Sequence, residues 1–366
     1  MKKLSKFKGC LIGGAIGDSL GYPIEFYNIK QIINKYGENG ITEYELLGGL
    51  ARISDDTQMT LFTADGILVG ETRACMRGMA AEPEVYIYYS YLNWLNTQMN
   101  KKDEKRNNWL TKIAELNVQR APGNTCLSAL KSGKMGTIKN PLNKSKGCGG
   151  VMRVAPIGLF YEKVPLKNVG KIGASCNAIT HGHPLGNISS SVMAMLIHTI
   201  IYGDENYFEK PKERSLEECV DFAIKTECAY KFDKNYMKFS KLMQKAIKLS
   251  KQNINDVEAI EELGGGWIAE EAIAIATYCA LKYSDNFEKA IIASVNHSGD
   301  SDSTGAITGN ILGAYLGIEK IPDKFLEKLE LKSLIEEVAE DLYNGCQVSE
   351  YGDNSSDEAK KWLSKY

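Results

Sequence analysis

Apolar residues recur at spacings of three and four along most of the chain. Segments at 8–21, 56–70, 84–98, 107–118, 167–180, 187–202, 215–229, 236–250, 268–284, 286–295, 303–316, 324–329, 332–344 and 356–365 follow this pattern and are predicted to be helices. Strand-like alternation is nearly absent. Pro and Gly punctuate the chain without accumulating, so no Gly/Ser-rich or Pro-rich linker divides it. The pattern therefore predicts one all-α domain over 1–348, with a polar tail at 349–366 forming a peripheral helix. The polar stretches at 99–106 and 203–214 read as surface insertions.

Two of the helical segments carry a glycine at every fourth position, Gly9, Gly13, Gly17 and Gly21 in one and Gly305, Gly309, Gly313 and Gly317 in the other. A glycine inside a helix costs roughly 1 kcal/mol relative to alanine, so a repeated set needs a compensating gain. Close approach of a neighbouring helix to the bare backbone supplies one. Both ends of the chain are thus expected to contribute tightly packed central helices, which would bring sequence-distant residues together.

Composition narrows the class. With 366 residues and 43% hydrophobic content the chain can bury a substantial core. A net charge of −2 gives no basic excess to attract nucleic acid, and none is expected as a partner. Nine cysteines without a C-x-x-C pair suggest neither a disulfide framework nor structural zinc, which fits a reducing cytoplasm. Lysines precede an apolar run from Gly9 to Ile16, as in a signal peptide, but the run is short, Asp18 interrupts it and no A-x-A-like site comes after it, so it reads as the first core helix. No stretch is expected to reach the roughly 18 to 20 apolar residues of a membrane span. The nearest runs from Ser190 to Tyr202 and contains His198, so no membrane partner is expected.

The candidate chemistry lies in two acidic clusters, each at a predicted helix start. Ser54-Asp55-Asp56-Thr57 precedes an amphipathic run, and alone it reads equally as a helix cap with acids on the dipole. The second cluster is Asn296-His297-Ser298-Gly299-Asp300-Ser301-Asp302-Ser303-Thr304. Two such helix starts, each offering two carboxylates (Asp55 and Asp56, Asp300 and Asp302) and a hydroxyl oxygen, make an all-oxygen donor set suited to two divalent cations, Mg²⁺ or Mn²⁺. Without cations the converging carboxylates would repel one another or stay protonated. An EF-hand is excluded, because no D-x-[DN]-x-[DN]-G loop with a closing Glu starts at Asp300.

The blocks GCLIGGAIGDSLGYPIEF (9–26), SDDTQMTLFTADGIL (54–68), KGCGGVMRVAPIGLF (146–160), ITHGHPLG (179–186), GGGWIAEEAIAIATYC (264–279) and HSGDSDSTGAITGNILGAYLG (297–317) occur in an order that resembles the ADP-ribosylglycohydrolase family. That family includes the dinitrogenase-reductase-activating glycohydrolase and the ADP-ribosylarginine hydrolases. The resemblance implies a single compact orthogonal all-α bundle with a dinuclear metal centre, and it assigns the metal contacts to Ser54, Asp55, Asp56, Asp300, Asp302 and Ser303. It places Glu25, seven residues after Asp18, as an acid near the metals and the substrate ribose. Ser303 stands where the family often has threonine, and Cys148 where it often has asparagine.

The run Asn143-Lys144-Ser145-Lys146-Gly147-Cys148-Gly149-Gly150 is a weak phosphate signal by itself, since a glycine-rich loop is more often a turn. The resemblance makes it the ADP-ribose-binding loop. His181 and His183 read as a capped turn before Pro184, and the resemblance puts His181 beside the substrate instead of on a metal. Trp267 fits either a nucleotide pocket or ordinary packing. The aromatic run at 85–95 reads as an amphipathic helix in the core or at a contact surface.

The function the resemblance implies is hydrolysis of the N-glycosidic bond between ADP-ribose and a protein side chain, through an oxocarbenium-like transition state. Glu25, Asp55 and Asp302 are the catalytic candidates, with the general base unassigned between Glu25 and a metal-facing aspartate. Arginine is the preferred linkage, because its guanidinium is already cationic and departs as neutral guanidine. Alternatives are hydrolysis of serine-linked or other O-linked ADP-ribose, pyrophosphate cleavage, non-catalytic ADP-ribose binding, and an immunity protein that neutralises an ADP-ribosyltransferase toxin. The partners expected are an ADP-ribosylated protein and ADP-ribose itself as product.

Overall fold

In the computed structural model the described residues are 2–79, 82–99, 108–203, 214–226 and 233–366. The insertions predicted over 99–106 and 203–214, apart from Met99, Gly203 and Arg214, and the last residues of the 215–229 helix lie outside them. The described chain is built from helices α1 (Lys2–Gly21), α2 (Ile29–Tyr36), α3 (Asp55–Arg77), α4 (Pro83–Gln98), α5 (Asn124–Lys131), α6 (Ala155–Phe160), α7 (Leu166–Ala178), α8 (Pro184–Tyr202) and α9 (Leu216–Thr226). It continues through α10 (Lys234–Ser250), α11 (Asp256–Leu263), α12 (Ala269–Lys282), α13 (Phe287–Val295), α14 (Ser301–Leu316), α15 (Asp323–Leu326), α16 (Lys332–Asn344) and α17 (Asp357–Lys365).

α1 and α14 lie antiparallel at the centre, and their glycines meet as the spacing predicts. A Cβ on Gly9 would stand 2.3 Å from the Gly313 carbonyl oxygen, one on Gly13 2.4 Å from that of Gly309, and one on Gly17 2.0 Å from that of Gly305. The last pairing differs from the expectation. Gly21 faces the Ser301 carbonyl, while Gly317 adopts φ +84°, ends α14 and faces Ser5. Glycine at the last position serves the left-handed cap, which an L side chain rarely adopts. α12 and α13 pack on α14, α16 packs on α1, and the α3–α4 and α7–α8 pairs surround this centre.

The helix predicted over 107–118 is, over its described residues 108–118, two 3₁₀ turns instead, Leu110–Lys112 and Ala114–Leu116. Asn108 Oδ1 accepts from the Leu110 amide and Asn117 Nδ2 donates to the Thr111 and Ile113 carbonyls, so side chains take the backbone groups an α-helix would use. The α8 helix has no uninterrupted apolar run of membrane length, as expected, although at 19 residues and mean hydropathy 1.3 it is long and apolar enough to cross a membrane by length and average composition. It is 89% buried inside the protein, however, which identifies a core helix. The tail is less peripheral than predicted, because α17 buries Trp362, whose Nε1 donates to Thr72 Oγ1 at 2.8 Å. All described cysteines are free.

One small hairpin joins strands Leu46–Leu47 and Leu50–Ala51 through Gly48 and Gly49, both at positive φ as a two-residue hairpin turn requires. Beyond it Ala51 exchanges backbone bonds with Lys328 and Glu330. The buried Glu330 carboxylate then accepts from Arg52, from Arg120 at 3.3 Å and from the Ile53 amide at 3.1 Å. This knot fixes the chain that enters Ser54.

Candidate active site

The acidic residues converge where the C-terminal end of α1 meets the N-termini of α3 and α14. Asp18, fully buried on α1, accepts from the Ser54 amide at 3.0 Å, the Thr57 amide at 3.1 Å and the Thr57 hydroxyl. It satisfies orphan N–H groups at the start of α3, as a capping carboxylate does. Ser54 is the N-cap itself, its Oγ accepting from the Asp56 amide at 3.2 Å. Asp55 Oδ2 accepts from the Gly123 amide at 3.2 Å, while its own amide donates to the Arg120 carbonyl. The guanidinium of Arg120 is turned to Glu330.

On α14, Asp300 is the N-cap, and the Ser303 amide donates to Asp300 Oδ1 at 3.3 Å and to Asp302 Oδ1 at 2.9 Å. Asp56 at the start of α3 and Asp300 and Asp302 at the start of α14 are close enough to raise one another's proton affinity, so the two helix starts meet. The Cys148 thiol donates to Asp300 Oδ2 at 2.7 Å. Glu25 comes directly after the short 3₁₀ turn Tyr22–Ile24 and is 9% exposed, so it is not a surface glutamate.

Burial raises every one of these carboxyls. Glu25 and Asp55 are each pushed up to about 8, by desolvation first and then by neighbouring carboxylates. Asp18 is pushed up to about 6 by burial, against the pull of its hydrogen bonds. Burial together with the other acids holds Asp56 and Asp302 well above the usual range, and burial raises Asp300. Among the described residues none of them forms an ion pair; the nearby Arg120 is paired with Glu330 instead.

This donor set fits divalent cations. All donors are oxygens, and two buried carboxylate oxygens, Asp56 Oδ2 and Glu25 Oε2, have no hydrogen-bond partner. Among the described residues, however, no three carboxylate, imidazole or thiol side chains are gathered closely enough to hold a metal ion as they stand. Ser54, Asp55, Asp56, Asp300, Asp302 and Ser303 are the residues that would hold the ions.

The glycine-rich run lies alongside. Cys148 donates its amide to the Trp267 carbonyl at 3.2 Å, and the Ala269 amide donates to the Lys146 carbonyl at 2.8 Å, which pins the run to the 264–269 segment. Asn143 Oδ1 accepts from the amides of Ser145 and Gly182, and Lys146 is paired with the buried Glu270 at 2.7 Å. Lys144 is exposed. Gly147, Gly149 and Gly150 are required by protein neighbours: a Cβ on Gly150 would sit 1.7 Å from Asn177 Oδ1, and one on Gly149 3.0 Å from the His181 ring. His181 is thus beside the loop, buried and held neutral, its basicity pushed down to about 3 by burial and by Arg153. Its Nδ1 pairs with Thr180 Oγ1 at 2.9 Å, and Arg153 Nη2 donates to the same oxygen at 2.8 Å. His183 caps α8, its Nδ1 accepting from the Leu185 amide at 3.1 Å.

Trp267 is 44% exposed and stacks on Phe26, itself 72% exposed, with ring centroids 5.7 Å apart. Sequence reasoning misses Phe26, and it reads Asp18 only as a break in an apolar run. It also passes over Arg153, a buried cation among neutral partners. Only an acid inside a glycine-spaced helix signals Asp18 beforehand.

The sequence profile of the ADP-ribosylglycohydrolases matches residues 1–352. The chain is 29% identical to an uncharacterised protein of Archaeoglobus fulgidus, covering 92% of this chain and 96% of that one. It is 25% identical to ADP-ribosylhydrolase ARH3 of Mus musculus (95% and 94% covered), and 25% identical to the ADP-ribosyl-[dinitrogen reductase] glycohydrolase of Rhodospirillum rubrum (88% and 90% covered). A solved ADP-ribosylglycohydrolase-related protein complex shares the fold, with TM-score 0.57 and 20% identity over 94% of this chain and 98% of that one. The chain therefore belongs to the ADP-ribosylglycohydrolase family, glycoside hydrolases that act on ADP-ribosylated proteins and release ADP-ribose.

Proposed function

We propose that this protein cleaves the N-glycosidic bond between ADP-ribose and an arginine side chain, at a centre holding two divalent cations. The observation that carries the reading is the meeting of two capped helix starts whose buried carboxylates form no ion pair among the described residues. Mg²⁺ or Mn²⁺ held there would neutralise the buried charge and supply Lewis acidity toward ribose hydroxyls and water. The chain's own residues do the rest. Asp18 holds the start of α3 in place, and the Asn143–Gly150 run with neutral His181 lies where the ADP-ribose would be seated.

Glu25 is the candidate base for the attacking water, since its Oε2 is buried and unpartnered and its affinity for a proton lies near neutrality. Asp55 and Asp302 add negative charge that favours an oxocarbenium-like transition state. The substituted guanidinium departs as a neutral guanidine, so no strong general acid is needed. His181, held neutral well below pH 7, would be a poor one.

The test is incubation with arginine-linked and serine-linked ADP-ribosyl peptides in Mg²⁺, in Mn²⁺ and in chelator. Release of ADP-ribose from the arginine peptide, lost on chelation and in Asp55→Ala and Asp302→Ala, is the expected result. Release that survives chelation refutes the metal centre, AMP among the products refutes glycosidic cleavage, and preference for the serine peptide refutes the linkage.

A further inference from the structure

We propose that Phe26 and Trp267 form an aromatic wall that receives the guanidinium of the side chain being released. The proposal rests on the arginine reading above and adds the residues that would recognise the acceptor. The pair sits at the rim of the carboxylate cluster. Phe26 adjoins Glu25 directly, and the Ile29 amide just beyond it donates to Ser298 Oγ at 2.9 Å. From the other side, the Gly265 carbonyl accepts the Asp300 amide at 2.9 Å, and a Cβ on Gly266 would stand 3.4 Å from Asp300 Cβ. The two rings thus close a bridge between the segments that carry Glu25 and Asp300.

Their exposure needs a reason. Two large rings stacked at 20° and left 72% and 44% in water keep apolar area that folding would ordinarily remove. Ring–cation contacts among the described residues fall on other aromatics, and neither Phe26 nor Trp267 carries one. Glu25, Asp55, Asp56, Asp300 and Asp302 place carboxyl oxygens, which accept from N–H groups, beside this rim. A planar cation that can lie on an aromatic face and meet carboxylates at its edge is a guanidinium, which stacks on aromatic rings where an ammonium does not. A neutral hydroxyl acceptor gains nothing from either feature.

Calorimetric titration of the Mg²⁺-loaded protein with Nα-acetylarginine amide, and separately with ADP-ribose, tests the wall without any turnover. Phe26→Ala and Trp267→Ala should each weaken the arginine amide about 10-fold, within the range of a desolvated cation–π contact. ADP-ribose binding should change by less than about 2-fold, and Phe26→Tyr and Trp267→Phe should restore most of the arginine-amide affinity. Equal weakening of ADP-ribose would assign the rings to the nucleotide instead. An arginine amide that does not bind the wild type, or binds the alanine variants equally well, overturns the proposal. If the guanidinium selectivity holds while no ADP-ribose is released from an arginine-linked peptide, the hydrolytic reading fails and the wall stands.

Discussion

Asp18 shows how far a residue's role depends on what folding brings to it. Read along the chain it is an acid that interrupts an apolar run. In the fold it is a fully buried carboxylate that takes two backbone amides and a hydroxyl from the start of α3. Asp18→Asn keeps the shape but removes the charge and offers N–H groups to amides that need an acceptor. Metal affinity should fall about 10- to 100-fold, the cost of losing a group that orients ligands, with the helical signature unchanged; calorimetric Mn²⁺ titration beside circular dichroism reads both.

The carboxyls also set a pH dependence. Glu25 and Asp55 titrate near about 8 in the fold against ordinary values of 4.5 and 3.8, so between these limits the native state holds protons that the unfolded chain has released. The stability they contribute is present at acid pH and is lost as pH rises toward about 8. His181 and His297, held at about 3 and about 4, act oppositely, and their loss comes as pH falls below 6.5. Above that pH the histidines are silent. In chelator the melting temperature should therefore drop between pH 6.5 and 8, and Mg²⁺ should raise it more at pH 8. A flat profile in chelator would mean the carboxyls are not protonated in the native state. Of these residues, the aspartate pairs were legible from their hydroxyl neighbours. Glu25 came only through the resemblance, because a lone glutamate after a proline carries no signal of burial.

At the scale of elements, periodicity locates the long helices and fails where side chains compete with the backbone. α4, α14 and α16 follow their apolar spacing closely. The 107–118 segment has the same spacing, yet Asn108 and Asn117 capture its amides and carbonyls. Short helices such as α2, α5 and α11 escape the pattern, since eight residues hold too few repeats of a 3.6-residue period to stand out. The glycine ridges are the strongest long-range signal in the sequence, because their cost has no local explanation. They place Asp18 against the start of α14, which is why the two aspartate clusters share one site.

Gly17→Ala tests that link. Its Cβ would lie 2.0 Å from the Gly305 carbonyl, and backbone cannot rotate away as a side chain can. Overpacking costs about 1–3 kcal/mol, and the roughly 1 kcal/mol gained in helix propensity offsets part of it at best. Urea unfolding should show a net loss of about 1–2 kcal/mol at unchanged m-value. Metal affinity should fall too, because the helices separate beside Asp18, where Gly21 meets Ser301 at the start of α14. Stability equal to wild type would mean the close packing is not required.

Across the whole molecule, the site and the tail occupy opposite ends of α3. The aspartates are in its first turn, and Thr72, which holds Trp362, is 17 residues further on, about 25 Å at 1.5 Å per residue. The tail reads as peripheral in the sequence because its composition is polar, and composition averages over the two residues that matter. Ala359 and Trp362 form a narrow apolar stripe that buries against the body, while Lys365 and the Tyr366 hydroxyl both reach Asp341. Trp362→Ala should destabilise the fold by about 3–5 kcal/mol, the usual cost of emptying a tryptophan site. Because the change lies a helix length from Glu25 and the aspartates, turnover per folded molecule should stay within about 2-fold below the melting transition. Thermal unfolding and initial rates on the same sample separate the two effects. A variant that melts like wild type would show that the tail helix contributes nothing to the fold. One that is folded but inactive would show instead that α3 transmits the state of its far end to the carboxylates.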